Sequence, residues 1–283
     1  MKIAATVILY YPTEKAINNV QSYINGVEKL FIIDNSETVS SQVAEFFSQS
    51  EKVIYLHDGE NKGIAKRLNQ VCKLAKEARY DWLLTMDQDS FFAEGIISNY
   101  LHCVNRFDQK EKISMFGINF SEKTNNPDEC NAVSVKHLIT SGSILNLKLM
   151  ETTGGFDENL FIDEVDFEYC LRSVAHGFNI IEFTNIFLNH NLGETSWHRS
   201  FKTSKITSRV LHSPFRIYYM TRNFLYVQSK YKNLFPAEIA LRKTILLNRL
   251  KNNILYNKHR FKVIKYILKG VKDYRRKRMG KMK

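Results

Sequence analysis

Residues 82–89 read Trp-Leu-Leu-Thr-Met-Asp-Gln-Asp, a short apolar run that stops at two carboxylates. Three comparable apolar runs precede it, at 3–9, 30–33 and 53–56, and a helical pattern at 63–78 fills the interval before the fourth run. Strands and helices that alternate at this spacing form βαβ units. The sequence therefore predicts an α/β fold built on a mostly parallel sheet.

Each of these runs ends at a cluster of polar or aromatic side chains. The clusters are Tyr10-Tyr11-Pro12, Asp34-Asn35-Ser36, Asp58 to Asn61, and Asp87-Gln88-Asp89. In open α/β sheets, ligands bind outside the carboxyl ends of the strands. Asn, Asp and Ser also end strands simply by forming turns, which is the better explanation for any single cluster. The four clusters together favour a binding site at one edge of the sheet.

The triplet at residues 87–89 carries the clearest chemistry of these clusters. Asp87 and Asp89 can converge on one divalent cation, and their hard oxygen ligands suit Mg²⁺ or Mn²⁺. Two acids in a loop are common, so the triplet gains its value from following a strand expected in mid-sheet. His190 is either a further metal ligand or, as is more usual for a lone histidine, an ordinary residue near a strand end. Tyr10 or Tyr11 could stack on a nucleobase, although core packing would also explain one of them.

An acidic run at residues 163–168 is open to two interpretations. A helix is predicted from about residue 164 to 176, closed by Gly177. Asp163 could then be its N-cap, and Glu168 with Arg172 an i,i+4 ion pair. Alternatively, one carboxylate at this helix start is a general base that deprotonates an acceptor hydroxyl. The spacing alone does not decide between them.

The formal charge of +12 is unevenly distributed. Residues 242–283 contain sixteen Lys or Arg and one acid, Asp273, for a net charge of +15, which leaves residues 1–241 at −3. Apolar residues recur among these cations at helical spacing. The tail therefore predicts basic amphipathic helices that bind an anionic membrane, or that dock on the catalytic domain or on a second copy in a homodimer. Nucleic-acid binding is the weaker interpretation, since it would not explain the apolar residues.

The four cysteines, Cys72, Cys103, Cys130 and Cys170, lie far apart and form no Cys-x-x-Cys pair. This spacing predicts neither a zinc site nor a disulfide framework, and it fits a reducing cytosol. No run is long enough to cross a bilayer, and the first residues do not form a signal peptide. A cytoplasmic protein, attached peripherally to the inner face of the cell membrane, is expected.

Several phrases of the sequence resemble the inverting glycosyltransferases of family two, which have the GT-A fold. The resemblance covers roughly residues 3–230, and its later phrases are similar to those of bacterial rhamnosyltransferases, whose usual donor is dTDP-rhamnose. The phrases include Ile32-Ile33-Asp34-Asn35-Ser36, Glu60-Asn61-Lys62-Gly63-Ile64-Ala65, Asp87-Gln88-Asp89, Thr140-Ser141-Gly142-Ser143, the stretch from Phe156 to Arg172, His190-Asn191-Leu192-Gly193, and Tyr218-Tyr219 followed by Arg222-Asn223.

The resemblance implies a role for each matching residue. It implies a GT-A catalytic domain over 1–212, with a Rossmann-like sheet, and a basic helical extension over 213–283. It implies Asp163 as the base, with Glu164 as the second choice and Asp166 orienting its neighbours. Asp87, Asp89 and His190 would hold Mn²⁺ or Mg²⁺. The residues that would bind the donor are Thr6, Tyr10, Tyr11, Pro12, Asp34, Asn61, Gly63, Arg67, Asp87 and Gln88.

The resemblance also implies the substrates, and two alternative functions are weighed against them. We expect transfer of a sugar, with L-rhamnose favoured, to a hydroxyl of a glycan or lipid-linked acceptor in bacterial surface polysaccharide synthesis. A UDP-sugar donor is the first alternative. A sugar-phosphate nucleotidyltransferase is less favoured, because it should have a Gly-rich loop after the first strand, where this chain has Tyr11-Pro12-Thr13-Glu14-Lys15. No nucleic-acid partner is expected.

Overall fold

The computed structural model describes residues 1–120, 129–190, 195–199 and 205–283. The chain divides into two compact units. The first, called here the sheet unit, comprises Met1–Glu158 and Val165–Asn191; the second, the helical unit, comprises Asn159–Glu164 and Leu192–Lys283. The helical unit thus begins at Leu192, not after residue 212 as in the predicted division, and it also includes six residues of the acidic region.

The sheet unit is built on eight strands in the order β3-β2-β1-β4-β8-β6-β9-β7. Strands β1 to β4 are mutually parallel, whereas β8 is antiparallel to both its neighbours. This confirms the predicted α/β fold with a mostly parallel sheet. The eight strands are β1 Ile3–Leu9, β2 Lys29–Asp34, β3 Val53–His57, β4 Trp82–Asp87, β6 Ile113–Asn119, β7 Ala132–Val135, β8 Ser143–Asn146 and β9 Asn179–Phe187. Two further strands, β5 Ser90–Phe91 and β10 Asn189–His190, pair in a separate two-stranded sheet.

Six α-helices accompany the sheet in the part of this unit that the structure describes. They are α1 Glu14–Gln21, α2 Ser41–Ser48, α3 Ile64–Glu77, α4 Ile96–Arg106, α5 Met150–Thr153 and α6 Val165–Ala175. The buried face of α3 carries Leu68, Val71 and Ala75, as its 3.6-residue periodicity predicts. Helix α6 ends before Gly177, whose positive φ of 83° suits a residue without a Cβ.

The helical unit contains a hairpin of β11 Thr195–Arg199 and β12 Ile206–Val210, followed by α7 Pro214–Tyr231, α8 Pro236–Tyr256 and α9 Arg260–Arg275. Ser213 caps α7 by accepting a hydrogen bond from the Arg216 amide at 3.2 Å. Helices α7 and α9 approach closely at Gly270, where a Cβ would lie 2.9 Å from the Tyr218 carbonyl oxygen. The predicted helical character after Pro214 is confirmed. No helix within the described ranges is long and apolar enough to cross a membrane.

The expectation that the chain has no disulfide was wrong for one pair. Cys103, in α4, and Cys130, just before β7, form a disulfide with their Cα atoms 5.3 Å apart. Their separation of 27 residues carried no signal, because the fold and not the spacing brings the two together. Cys72 and Cys170 are buried free thiols, and burial raises the pKa of Cys72 to about 12.

Candidate functional site

The strand register brings the predicted polar clusters to one edge of the sheet. Leu9 pairs with Asp34, Asp34 pairs with His57, and Ile8 pairs with Asp87. Since these strands are parallel, the loops that follow them all leave from the same edge. The sheet unit therefore gathers the four clusters as the sequence predicted.

The loop after β1 presents two tyrosine rings to solvent. Tyr10 is 45% exposed and Tyr11 is 51% exposed, with ring centroids 4.7 Å apart, so neither belongs to the core. Gln88 fixes the Tyr10 backbone by accepting from its amide at 2.8 Å and donating to its carbonyl at 3.2 Å. Ser36 accepts from the Tyr11 amide at 2.6 Å, and Pro12 is buried beside the pair. Two flat aromatic faces are thus available to a planar ligand.

Two residues predicted to bind the donor are instead buried. Asp34 is fully buried, and its carboxylate accepts from the Tyr55 hydroxyl at 2.7 Å and from the Ser36 amide at 3.0 Å. Thr6 lies in the middle of β1 with 1% exposure, not at the strand end. In this conformation Asp34 shapes the loop after β2 and Thr6 belongs to the interior of the sheet. These placements favour an indirect role for both residues, and their direct contact with the donor stays a prediction.

All five N–H groups of Arg67 are engaged within the protein, and its predicted contact with the donor stays a prediction. It is 1% exposed; Nε donates to Asn35 at 2.8 Å, and Nη1 and Nη2 donate to the two carboxylate oxygens of Asp58 at 2.8 and 2.5 Å. Gln70 and the Glu60 carbonyl accept the remaining two bonds. The guanidinium holds the pKa of Asp58 well below its usual range. Arg67 therefore ties the loops after β2 and β3 together.

Asn61 and Gly63 form the turn that starts α3. The Asn61 side-chain oxygen accepts from Asn35 at 2.9 Å and from the Gly63 amide at 3.1 Å. Gly63 has a φ of 79°, which favours glycine, and its turn leads directly into the first residue of α3. The two residues predicted to bind the donor thus shape one wall of the candidate site.

The two carboxylates of the triplet at 87–89 are half-buried at the end of β4. Strand β10 pairs with β5 and places the backbone of His190 opposite Ser90, directly after Asp89. The side chain of His190 lies outside what the structure describes, and within the described part of the chain no three His, Cys, Asp or Glu side chains form a metal-binding group. The donor set that remains, two hard carboxylates at a partly open edge, fits Mg²⁺ or Mn²⁺.

The acidic run divides between the two units. Asp163 and Glu164 belong to the helical unit and have left-handed backbone, with φ of 63° and 65°, so Asp163 is not a helix N-cap. Asp166 lies in the first turn of α6, in the sheet unit, and its carboxylate accepts from the Phe167 amide at 2.8 Å. Glu168 forms the expected ion pair with Arg172 at 2.9 Å. Consecutive left-handed residues other than glycine are uncommon and are often found at functional sites.

The environments of the two candidate bases differ. Glu164 is 5% exposed, and both its oxygens accept from Nε of Arg242, at 2.9 and 3.0 Å. Asp163 accepts from Arg216 through Oδ1 alone, at 3.2 and 3.3 Å, while its Oδ2 is buried with no hydrogen-bond partner among the described residues. The carboxylate of Asp163 thus keeps an oxygen able to accept a proton, whereas Glu164 is taken up by an ion pair.

Sequence reasoning gave no role to Arg242, Arg216 or Asn223, each of which holds the segment with the candidate bases. Long-range pairs of this kind leave no periodic signal. The asparagine is a partial exception, since Asn disfavours the interior of a helix and its presence in α7 suggests a role for its side chain.

Comparison with known proteins agrees with this architecture. Residues 13–132 match the model of Glycosyl transferase family 2. The chain is 27% identical over 280 residues to a dTDP-rhamnosyl transferase, RfbF, of Shigella flexneri, covering 90% of this chain and 92% of that protein.

Solved structures with a similar fold are glycosyltransferases of the GT-A type. GalNAc-T7 with UDP, GalNAc and Mn²⁺ superposes with a TM-score of 0.61 at 8% identity, over 96% of this chain and 56% of that one. Residues 1–349 of S. aureus TarS with UDP-GlcNAc give a TM-score of 0.53 at 13% identity, over 97% of this chain and 80% of that one. A longer TarS structure gives 0.54 at 14% identity, with 97% of this chain covering 48% of it. The chain thus spans about half the length of two of these structures, and the likeness establishes the fold.

Proposed function

Because this chain is a glycosyltransferase with a family 2 domain, we propose that it transfers L-rhamnose from dTDP-rhamnose, with inversion, to a hydroxyl of a glycan or lipid-linked acceptor. The pathway would be the synthesis of a bacterial surface polysaccharide. The observation that carries the choice of donor is the similarity to the dTDP-rhamnosyl transferase, which extends over 90% of the chain and so covers residues of both units.

The donor would bind at the carboxyl edge of the sheet unit. The exposed rings of Tyr10 and Tyr11 offer a stacking surface to the thymine base. Asp87 and Asp89 would hold Mn²⁺ or Mg²⁺ beside the diphosphate. The cation, when bound, supplies positive charge against the negative charge that the diphosphate gains as it leaves. Arg67 and Asp34 would act indirectly, by fixing the loops around this site.

Asp163 would act as the general base. The acceptor hydroxyl gives its proton to Oδ2 of Asp163 as its oxygen forms a bond to the anomeric carbon, and the bond from that carbon to the phosphate oxygen breaks with its electron pair. Attack opposite the leaving group inverts the anomeric centre. Arg216 occupies Oδ1, which leaves the buried Oδ2 as the oxygen that would take the proton. Glu164 would serve structure through its bond to Arg242.

The enzyme would act at an anionic membrane surface. On α9, Phe261, Ile264 and Leu268 are 77%, 39% and 63% exposed, and their spacing puts them on one face of the helix, whereas Val263 and Gly270 are buried. Exposed apolar residues beside cations suit a bilayer that carries negative headgroups. The neighbouring cations on α9 are Arg260, Lys262, Lys265, Lys269 and Lys272.

Incubation with a panel of nucleotide sugars and Mn²⁺ tests the donor. We expect release of dTDP from dTDP-rhamnose in the presence of an acceptor extract, and little release from UDP-sugars. Release of UDP instead would replace the donor and keep the transferase activity. Release of pyrophosphate from a nucleoside triphosphate and a sugar phosphate would support a nucleotidyltransferase and contradict the proposal.

A further inference from the structure

The six residues Asn159–Glu164, called here the base segment, carry a backbone that ordinary residues rarely adopt. Asp163 and Glu164 are consecutive and both left-handed, and such a conformation persists only where surrounding groups fix it. The base segment groups with the helices and not with the sheet that it interrupts in sequence. The groups that fix it should therefore be found on α7 to α9.

Asn223 supplies the most direct contacts to this backbone. It is fully buried in the interior of α7. Its side-chain amide donates one hydrogen bond to the Ile162 carbonyl at 2.7 Å and another to the Asp163 carbonyl at 3.1 Å. The two N–H groups of the Asn223 amide thus bind the peptide groups that precede and follow the Asp163 α-carbon. These two bonds fix the peptide planes that define φ and ψ of Asp163.

Arg222 orients that amide. It is fully buried, and its Nε donates to the Asn223 side-chain oxygen at 3.0 Å, so the amide nitrogen must face the base segment. Its Nη1 donates to the Gly280 carbonyl at 2.8 Å, and the Gly280 amide donates to the Asn159 carbonyl at 2.9 Å. The ring of Tyr219 stacks on Phe161 with centroids 5.2 Å apart. One stretch of α7 therefore holds the base segment at both its ends.

We propose that Asn223 is a positioning residue for the base, and that Arg222 fixes the orientation of its amide. This rests on the proposed role of Asp163 as the general base. Such positioning would explain why Arg222 and Asn223 are buried side by side in α7, since neither the donor site nor the exposed face of α9 involves them. Because a small misplacement of a reacting group can cost about 10²-fold in rate, the loss of these two bonds should lower turnover while the donor still binds.

The test replaces Asn223 by Asp, a change of nearly constant shape. An ionised carboxylate keeps the bond from Arg222 but cannot donate, and it repels the two carbonyls. The matched control is Asn253→Asp, because Asn253 is a second fully buried asparagine in the helical unit whose amide contacts Arg249, His212 and Asn257 and not the base segment. Both variants should lose similar amounts of thermal stability.

Three measurements separate positioning from general damage. For Asn223→Asp we expect kcat to fall by about 10- to 100-fold with the affinity for dTDP unchanged, and hydrogen exchange to quicken in the peptide that spans Asn159–Glu164. For Asn253→Asp we expect kcat within about twofold of the parent at an equal loss of Tm. Equal kcat and equal exchange in the two variants would overturn the inference. Faster exchange in Asn223→Asp without loss of kcat would show that Asn223 holds the base segment but would refute Asp163 as the base. Failure of the positioning role is thus distinguishable from failure of the proposed base.

Discussion

The sheet unit and the helical unit position their polar side chains by different means. In the sheet unit, parallel register carries the ends of β1, β2 and β4 to one edge, and local loops then fix the side chains. In the helical unit, buried side-chain pairs do this, such as Glu164 with Arg242 and Tyr218 with Asp273. Backbone register tolerates many substitutions, whereas a buried pair depends on both partners. The two halves of the proposed chemistry should therefore fail in different ways when mutated.

The largest effect is expected from the sheet unit, at Asp89. Removal of one carboxylate from a small oxygen-ligand site should lower transfer by about 10³-fold or more, since a bound cation supplies several kcal/mol of transition-state stabilisation. Fold and Tm should change little, because the carboxylate is half-exposed. Transfer by Asp89→Ala would be measured across a Mn²⁺ titration, with the exposed acid Glu94 changed to Ala as a control. Activity close to that of the control would remove Asp89 from the metal site.

In the helical unit, Asp163 and Glu164 are neighbours in sequence, but their variants should fail in different ways. Asp163→Asn should lower kcat by about 10²–10⁴-fold with donor affinity retained. Glu164→Gln should instead act on stability, because it removes the buried negative charge that pairs with the Arg242 guanidinium; the expected loss is about 3–5 kcal/mol in the free energy of unfolding. Steady-state kinetics with dTDP binding and urea unfolding would be measured on both variants. If Glu164→Gln folds normally and loses turnover while Asp163→Asn keeps it, the two roles are exchanged.

The exposed apolar face of α9, which is proposed to contact lipid, should give a smaller effect. Phe261→Ser combined with Leu268→Ser removes two apolar side chains that would each contribute about 1.5–3 kcal/mol if fully buried in a membrane. We expect at least about a tenfold loss of binding to vesicles rich in anionic lipid. Leu234→Ser is the matched control, because Leu234 is 64% exposed but lies outside α9. Equal sedimentation of the double variant and the control would favour docking of this face on protein.

The smallest effect concerns pH and His212 in the helical unit. Burial, with the neighbouring Arg216 and Arg249, lowers the pKa of His212 to about 4. The unfolded chain therefore binds a proton that the folded chain does not between about pH 6.5 and pH 4, so stability falls as the pH falls through this window. His212 is partly exposed, and after screening by solvent we expect about 1 kcal/mol. Urea unfolding at pH 7 and pH 5 should show this difference in the parent and not in His212→Gln.

The sequence predicted most of the sheet unit because its signals are local and periodic. The apolar runs, the 3.6-residue pattern of α3 and the polar residues at the strand ends each follow from the neighbouring residues alone. The exposure of the Tyr10 and Tyr11 rings, by contrast, depends on Gln88 and Ser36, which come from other loops. The sequence alone could therefore propose stacking but could not exclude core packing.

The features that the sequence did not reveal depend on contacts between distant residues. Asp34 was expected to bind the donor, and the structure adds that its carboxylate accepts a hydrogen bond from Tyr55, 21 residues later. Arg67 was expected at the donor, but Asp58 and Asn35 occupy its donors. The Cys103–Cys130 bond likewise follows from the packing of α4. Asp163 was a plausible helix N-cap until its left-handed backbone was seen.

The grouping of Asn159–Glu164 with the helices has a consequence for recombination between related enzymes. A crossover near residue 192 would take the helices from one parent and the base segment from the other. Asn223 and Arg242 would then have to bind a base segment that did not evolve with them. The segment that must be exchanged as a whole is discontinuous in sequence, because it consists of residues 159–164 and the last third of the chain. Chimeras that exchange both stretches together should stay active more often than those with a single crossover between them.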